Sequence, residues 1–207
     1  MKSLLAGILL LGFVTSANAV FIDNGRYTTD TTSGLDWLDL TETMGMSYDT
    51  VVTEMAVGGA YEGWVYATGV QFTQMVANFT NTVALANDDL HYYGEGPDSI
   101  DQLVQLLGNT NTVNPTNIAT ALNHSYGLIQ DELGYSYIRM AVIEDKAESE
   151  LQQDYSKAYG GALRRGSSEH IVGSFLVKAS VSVPEASSLL LLGFGLFGLI
   201  VGARRQA

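Results

Sequence analysis

The stretch Arg26-Tyr-Thr-Thr-Asp-Thr-Thr-Ser-Gly-Leu-Asp-Trp-Leu-Asp39 contains two extended segments separated by a turn. Tyrosine and threonine favour a strand over residues 26–29, and the order Thr32-Ser33-Gly34 is typical of a turn. From residue 35 to residue 39 apolar side chains alternate with acidic ones, which is the period of a half-buried strand. The stretch therefore predicts a β-hairpin that turns Trp37 towards the core.

Three helices are predicted downstream of this hairpin. Ser47 can cap the first, whose apolar positions are Val51, Val52, Met55 and Ala56 and which Gly58-Gly59 would end. Residues 64–67 predict a short strand, after which Thr68 and Gln71 form a capping box for a helix that runs to about Asn78. The third helix has its apolar positions at Ile100, Leu103, Val104 and Leu107. It is expected within a polar insertion over residues 81–117.

The second half of the chain predicts strands and one charged connection. Residues 126–129 and 135–143 flank Leu133-Gly134, which suggests a second β-hairpin. The charged segment 145–161 is expected to form a loop or an exposed helix, and residues 171–179 a final strand. These elements predict an α+β fold with a mainly antiparallel sheet and two or three helices, in a domain that covers residues 20–182.

Composition excludes several classes of protein. The chain has 207 residues, of which 46% are hydrophobic, so it can fold around a core. Its 22 acidic and 10 basic residues give a net charge of -12, which argues against a nucleic-acid partner. Without cysteine it has no disulfide framework, no thiolate metal site and no cysteine nucleophile.

The N-terminus has the three-part order of a secretory signal peptide. Lys2 precedes the apolar run 4–14, and the small-residue pattern Ala17-Asn18-Ala19 follows it. We expect residues 1–19 to be the signal peptide and Val20 to be the mature N-terminus. The alternative, a buried N-terminal helix, does not account for the A-x-A pattern.

The C-terminus has the composition of a single transmembrane helix. No charged residue occurs from Ala186 to Ala203, a stretch of 18 residues. A helix of this length extends about 27 Å, close to the thickness of about 30 Å of a bilayer core. Arg204 and Arg205 follow at once and would stop the segment on the cytoplasmic side. A buried C-terminal helix is the alternative, although such a helix would carry a polar face.

The residues before this apolar stretch carry a resemblance to a known family. Val183-Pro184-Glu185-Ala186, the apolar stretch and the closing arginines resemble the PEP-CTERM sorting signal, so that residues 183–207 form a sorting tail. Ala186 stands where that signal has a second proline. The resemblance implies a membrane-anchored precursor at the inner membrane, a sorting protease called an exosortase as partner, and a final place at the cell surface or outside the cell, in association with extracellular polysaccharide.

A second resemblance concerns the exported domain. Its blocks are Ser33-Gly-Leu-Asp-Trp-Leu-Asp39, Gly63-Trp-Val-Tyr-Ala-Thr68 and Gly173-Ser-Phe-Leu-Val177. In this order they are similar to exported bacterial domains with a C-type-lectin-like or sulfatase-modifying-factor-like fold. Val65 and Ala67 depart from the arginine and proline usual there, and the resemblance transfers no catalytic residue.

The sequence does not predict a catalytic residue or a metal site. His91, His124 and His170 are far apart and form no metal-binding motif. Ser125 follows His124 directly, but neighbouring side chains on a strand point to opposite faces, and no G-x-S-x-G motif is present.

Acidic and aromatic residues leave alternatives open. A carboxylate pair for glycoside hydrolysis could come from six residues, although solvation of the surface explains most of them: Asp36, Asp39, Asp88, Asp89, Asp131 and Glu132. Residues 87–91 with Glu95, Asp98 and Asp101 offer oxygen ligands to calcium, yet lack the EF-hand register, and no cofactor is expected. Trp37, Trp64 and the 11 tyrosines are either core residues beside strands or a platform on which sugars stack, and Tyr92 and Tyr93 are the better candidates for exposed contact.

Two functional hypotheses follow. The first is an exported, non-enzymatic protein of the cell surface or extracellular matrix that an exosortase sorts. The alternative is a secreted glycan-binding or glycan-hydrolysing protein that uses clustered carboxylates and aromatic side chains.

Overall fold

The fold combines two β-sheets with three α-helices. The computed structural model describes residues 21–84, 91–93, 100–112, 121–130, 136–146 and 154–180. The helices are α1 (Tyr48–Glu54), α2 (Gly69–Thr80) and α3 (Ile100–Leu107), and a 3-10 turn, η1, covers Leu40–Glu42. The strands are β1 (Phe21–Asp23), β2 (Tyr27–Asp30), β3 (Leu35–Leu38), β4 (Val65–Tyr66), β5 (His91–Tyr93), β6 (Asn111–Thr112), β7 (Ala121–Leu128), β8 (Tyr137–Lys146), β9 (Asp154–Arg164), β10 (Gly173–Ser174) and β11 (Leu176–Ala179).

The two sheets are mainly antiparallel, as predicted. The first has the strand order β1-β2-β3-β11-β4, and the second has the order β10-β7-β8-β9-β5, with β6 also paired to β7. In the parts of the chain that the structure describes, β10 and β7 form the one parallel pair. The α+β prediction is therefore confirmed for the described residues.

The first predicted hairpin is confirmed and is held by a buried carboxylate. β2 and β3 pair from Tyr27 opposite Leu38 to Asp30 opposite Leu35. Asp30 is fully buried and accepts hydrogen bonds from the backbone N–H of Thr32 and the hydroxyl of Ser33 at 2.9 and 2.7 Å. Its second oxygen also accepts from the amide of Asn78 on α2 at 2.8 Å, so the turn and this helix are joined.

The first two helices begin where the sequence predicts. The Ser47 hydroxyl accepts from the backbone N–H of Thr50 at the start of α1, and Thr68 and Gln71 form both bonds of the capping box on α2. α2 runs to Thr80, two residues beyond the prediction. α1 stops at Glu54, before the predicted Gly58-Gly59, because the Glu54 carbonyl accepts from the N–H of Tyr61 in the returning loop.

The third helix belongs to the core, so the expectation of a polar insertion is wrong for it. All four predicted apolar positions of α3 are fully buried, in the same cluster as Trp37 and Phe72. Its apolar stripe covers β7 and β8 of the second sheet. The polar residues on either side suggested an insertion. However, the apolar side chains along one face of α3 decide whether the helix is buried, and the polar composition of the surrounding segment does not.

The prediction of a loop or exposed helix over residues 145–161 is also wrong for its described residues, 145–146 and 154–161, whereas residues 147–153 lie outside the described ranges. β8 continues to Lys146, and β9 begins at Asp154 and pairs antiparallel with β8. Ser156 and Ala158 are buried, while Lys157 between them is partly exposed, so the period of two is present. The inward residues of β9 are small because α2 packs against this strand. The sequence of β9 therefore does not alternate between large apolar and polar residues, which is the pattern that predicts a strand.

The final predicted strand is divided between the two sheets at Phe175. The N–H of Phe175 donates to the Leu128 carbonyl beside the second sheet, and its carbonyl accepts from the N–H of Ala67 beside the first, at 2.9 and 2.8 Å. Its ring packs edge-on against Trp37 and Phe72. Residues 173–179 therefore connect the two sheets, and the Phe175 ring between them is part of the hydrophobic core.

The predicted terminal segments lie outside the described residues. No helix within the described ranges is long and apolar enough to cross a membrane. The signal residues Ala17, Ala19 and Val20, the turn Leu133-Gly134 and the sorting tail with Arg204 and Arg205 all fall beyond these ranges.

Candidate functional site

The last described residues fix the point from which the sorting tail leaves the domain. β11 lies between β3 and β4, with Ala179 opposite Leu35. The backbone N–H of Ser180 then donates to the carbonyl of Gly34 at 2.9 Å, in the turn of the first hairpin. Gly34 has a φ of 67°, a conformation that glycine adopts without strain. The sorting residues Val183, Pro184, Glu185 and Ala186 therefore follow within a few residues of a hydrogen-bonded strand end.

A cluster of two aromatic rings and one lysine lies on the first sheet, and we call Tyr27, Trp64 and Lys178 the aromatic–lysine cluster. The Lys178 ammonium nitrogen lies 4.8 Å from the ring centre of Tyr27 and 4.4 Å from that of Trp64. The two rings meet edge to face, with centres 6.2 Å apart. All three residues are partly exposed. The cluster thus places two partly exposed aromatic rings and a cation together at the surface.

Strand register brings this cluster together. Lys178 lies opposite Asp36, and Asp36 lies opposite Thr29, so these side chains share one face of three adjacent strands. Asp36 accepts from the Thr29 hydroxyl at 2.6 Å and has an oxygen 3.9 Å from the Lys178 nitrogen. Lys178 was not predicted as a site residue, because the pairing of β11 with β3 spans about two thirds of the chain.

The two tryptophans have different environments. Trp37 is only 1% exposed and packs against Phe175, which confirms the prediction that it is a core residue. Trp64 is partly exposed beside Lys178. Of the two, only Trp64 can stack on a ligand from solvent.

The candidate carboxylates are not assembled as one pair by the described residues. Asp36 is buried beneath Lys178, as described above. Asp39 precedes η1, and burial together with the charges of Asp23 and Glu42 raises its pKa to about 6. The other four candidates, Asp88, Asp89, Asp131 and Glu132, lie outside the described residues.

The histidines are separate from one another in the structure. His124 is buried on β7, with its ring centre 4.7 Å from that of Tyr126, and the Tyr126 hydroxyl donates to Glu144. Burial raises the pKa of the Tyr126 phenol above its ordinary value. Ser125 faces the other side of the strand and donates to the Gly108 carbonyl at 3.0 Å. His170 is exposed in a loop.

The proposed calcium ligands are largely outside the described residues. Of that set, His91 lies on β5 and Asp101 is exposed in the first turn of α3. Tyr92 and Tyr93 form the rest of β5 and pair with β9. Across the described ranges no group of three histidine or acidic side chains is arranged to hold a metal ion.

Comparison with known proteins identifies the tail. Residues 182–206 match the family model described as the PEP-CTERM protein-sorting motif. No curated protein and no solved structure matches the chain. The similarity of the domain to lectin-like and sulfatase-modifying-factor-like proteins therefore has no support from these comparisons.

The match agrees with the prediction made from residues 183–186 and the apolar stretch after them. It supports an exported protein that an exosortase processes, with a membrane-anchored stage before the cell surface. The chain carries a PEP-CTERM protein-sorting motif at its C-terminus.

Proposed function

We propose that this chain is a non-enzymatic protein of the cell surface or extracellular matrix, and that an exosortase removes or exchanges its tail after export. The match at residues 182–206 is the observation that carries this proposal. The apolar stretch would hold the precursor in the inner membrane, and Arg204 and Arg205 would fix its direction. A proline at position 184 would interrupt a helix or strand that ran into the motif, and this supports recognition of the motif by a protease as an extended segment.

The contact that we propose for the exported domain is with extracellular polysaccharide. The aromatic–lysine cluster supports it, because the apolar faces of sugar rings pack on aromatic side chains. Lys178 lies between Tyr27 and Trp64, so its cation–π contacts hold both rings in place. The Asp36 carboxylate lies beside the Lys178 ammonium group and accepts a hydrogen bond from the Thr29 hydroxyl. These contacts give the carboxylate a structural role.

Export is tested by the mature N-terminus. The full chain is expressed in a host that carries an exosortase, and the exported form is isolated and sequenced from its N-terminus. We expect it to begin at Val20, since signal peptidases cut after the A-x-A pattern. An exported form that still begins at Met1 would contradict signal cleavage.

Sugar contact is tested at Trp64. The probe is polysaccharide purified from the medium of an exosortase-carrying bacterium, and the measurement is the dissociation constant from isothermal titration calorimetry, which does not depend on either tryptophan. We expect Trp64→Ala to weaken binding about tenfold, because about 1.4 kcal/mol of ring contact is lost. The control is Tyr137→Ala, which removes an aromatic side chain that is 52% exposed and lies on the second sheet.

Equal affinity of the wild type and Trp64→Ala for the polysaccharide would exclude the cluster as its binding site. Weaker binding of both variants would contradict the assignment to Trp64.

A further inference from the structure

The first and the last residues of the described domain lie at the same end of the strands of the first sheet, and we call this end of the strands an edge. Phe21 lies opposite Asp30, Asp30 opposite Leu35, and Leu35 opposite Ala179. These four residues form one row across four adjacent strands. At about 4.8 Å between strands, the first and last residues of the row are about 14 Å apart. Residues 1–20 and the sorting tail therefore join the domain on the same side.

This edge carries no exposed charged side chain among its described residues. We define the neutral edge as Phe21, residues 31–34, residues 78–83 and Ser180, all of which are uncharged. Asp30, which lies beneath them, is fully buried and hydrogen-bonded to Ser33 and Asn78. The rings of Phe21 and Phe79 pack edge to face at 5.1 Å, so the end of α2 belongs to this surface.

The opposite end of the same strands is acidic. Asp23 ends β1, and Asp39 and Glu42 follow β3. Arg26 donates to Glu42 at 2.6 Å, while burial first, and then the charges of Asp23 and Glu42, raise the pKa of Asp39. The two ends of the first sheet thus differ in charge within a chain of net charge -12.

The connection between the domain and the membrane segment is short. Only residues 181–185 separate Ser180 from the uncharged stretch that begins at Ala186. Fully extended, this connection spans about 20 Å. If residues 186–203 span the bilayer, the domain would be held close to the bilayer surface, on the side from which Ser180 leaves.

We propose that the neutral edge is the membrane-facing surface of the exported domain and lies against the lipid headgroups while the tail spans the bilayer. The inference rests on the proposed membrane-anchored stage. Anionic lipid headgroups repel acidic side chains, so the acidic end is kept away from such a surface and the neutral edge is not.

The absence of native cysteine allows a direct test. Four single-cysteine variants of the full chain are labelled with a fluorophore and inserted into vesicles that contain phosphatidylglycerol and a headgroup-labelled quencher lipid. Thr32→Cys and Val83→Cys place the label on the neutral edge. Thr53→Cys and Val57→Cys are the matched controls on and after α1. All four positions are exposed, so labels should not disturb the core.

We expect quenching several-fold stronger at positions 32 and 83 than at positions 53 and 57. If the protein floats with the vesicles but all four labels are quenched equally, or the controls more strongly, the orientation is wrong while the anchor stands. If the full chain does not float with the vesicles, the anchored stage and the orientation are both overturned. Using two positions on each side keeps the result independent of the folding of any one variant.

Discussion

Replacing Gly173 with alanine should lower the free energy of unfolding by about 3 kcal/mol, the upper end of the usual cost of overpacking. A Cβ atom at this position would lie 2.4 Å from the carbonyl oxygen of Leu40, which belongs to η1. Because that atom is backbone, it cannot move aside as a flexible side chain would. Gly127 lies opposite Gly173 in the parallel pair, and a Cβ there would meet the side chains of Leu40 and Phe175 at 2.6 Å. The two glycines let η1 approach the junction of the two sheets.

Urea denaturation of the exported protein measures this effect, and Gly166→Ala is the matched control. A Cβ at Gly166 meets nothing within 4 Å, so the control should unfold within about 0.5 kcal/mol of the wild type. If both variants had the same denaturation midpoint, the close approach of Leu40 to Gly173 would be contradicted.

Replacing Glu185 with alanine should abolish processing by the exosortase and leave membrane insertion unchanged. Glu185 lies in the sorting motif but outside the uncharged stretch, so the hydrophobicity that drives insertion is not altered. Its carboxylate is the one charged group of the motif segment 183–186 and hence the group that a protease can recognise by charge. In a host with an exosortase, the variant should stay in the membrane fraction while the wild type is released.

The matched control for this experiment is Glu169→Ala, which removes an exposed glutamate from the folded domain. The control should be released like the wild type. Release of Glu185→Ala at the wild-type rate would contradict recognition through this residue, and so would retention of Glu169→Ala, because loss of an acidic group outside the motif would then impair release as well.

Local signals in the sequence predicted much of the fold. The hairpin from Tyr27 to Leu38, the capping box of Thr68 and Gln71, and the apolar stripe of α3 each depend on residues a few positions apart. Such patterns predict an element irrespective of the rest of the chain. The sorting motif is local in the same way, which is why its order along the sequence identified it.

Features that depend on distant contacts were not predicted. β9 has small inward residues, since its neighbour α2 and not its own sequence sets the space available. The change of sheet at Phe175 depends on hydrogen bonds to Leu128 and Ala67. The aromatic–lysine cluster requires the register of β11 on β3, so no motif could have revealed Lys178 as a neighbour of Tyr27.

The central claim, that an exosortase processes this chain at its C-terminal motif, is tested most directly by the mass of the mature C-terminus. The protein is isolated from the surface or medium of a host with an exosortase, digested, and its C-terminal peptide identified by mass spectrometry. We predict a C-terminus near residues 183–186, with the apolar stretch, Arg204 and Arg205 removed. A surface form that still ends at Ala207 in this host would contradict processing.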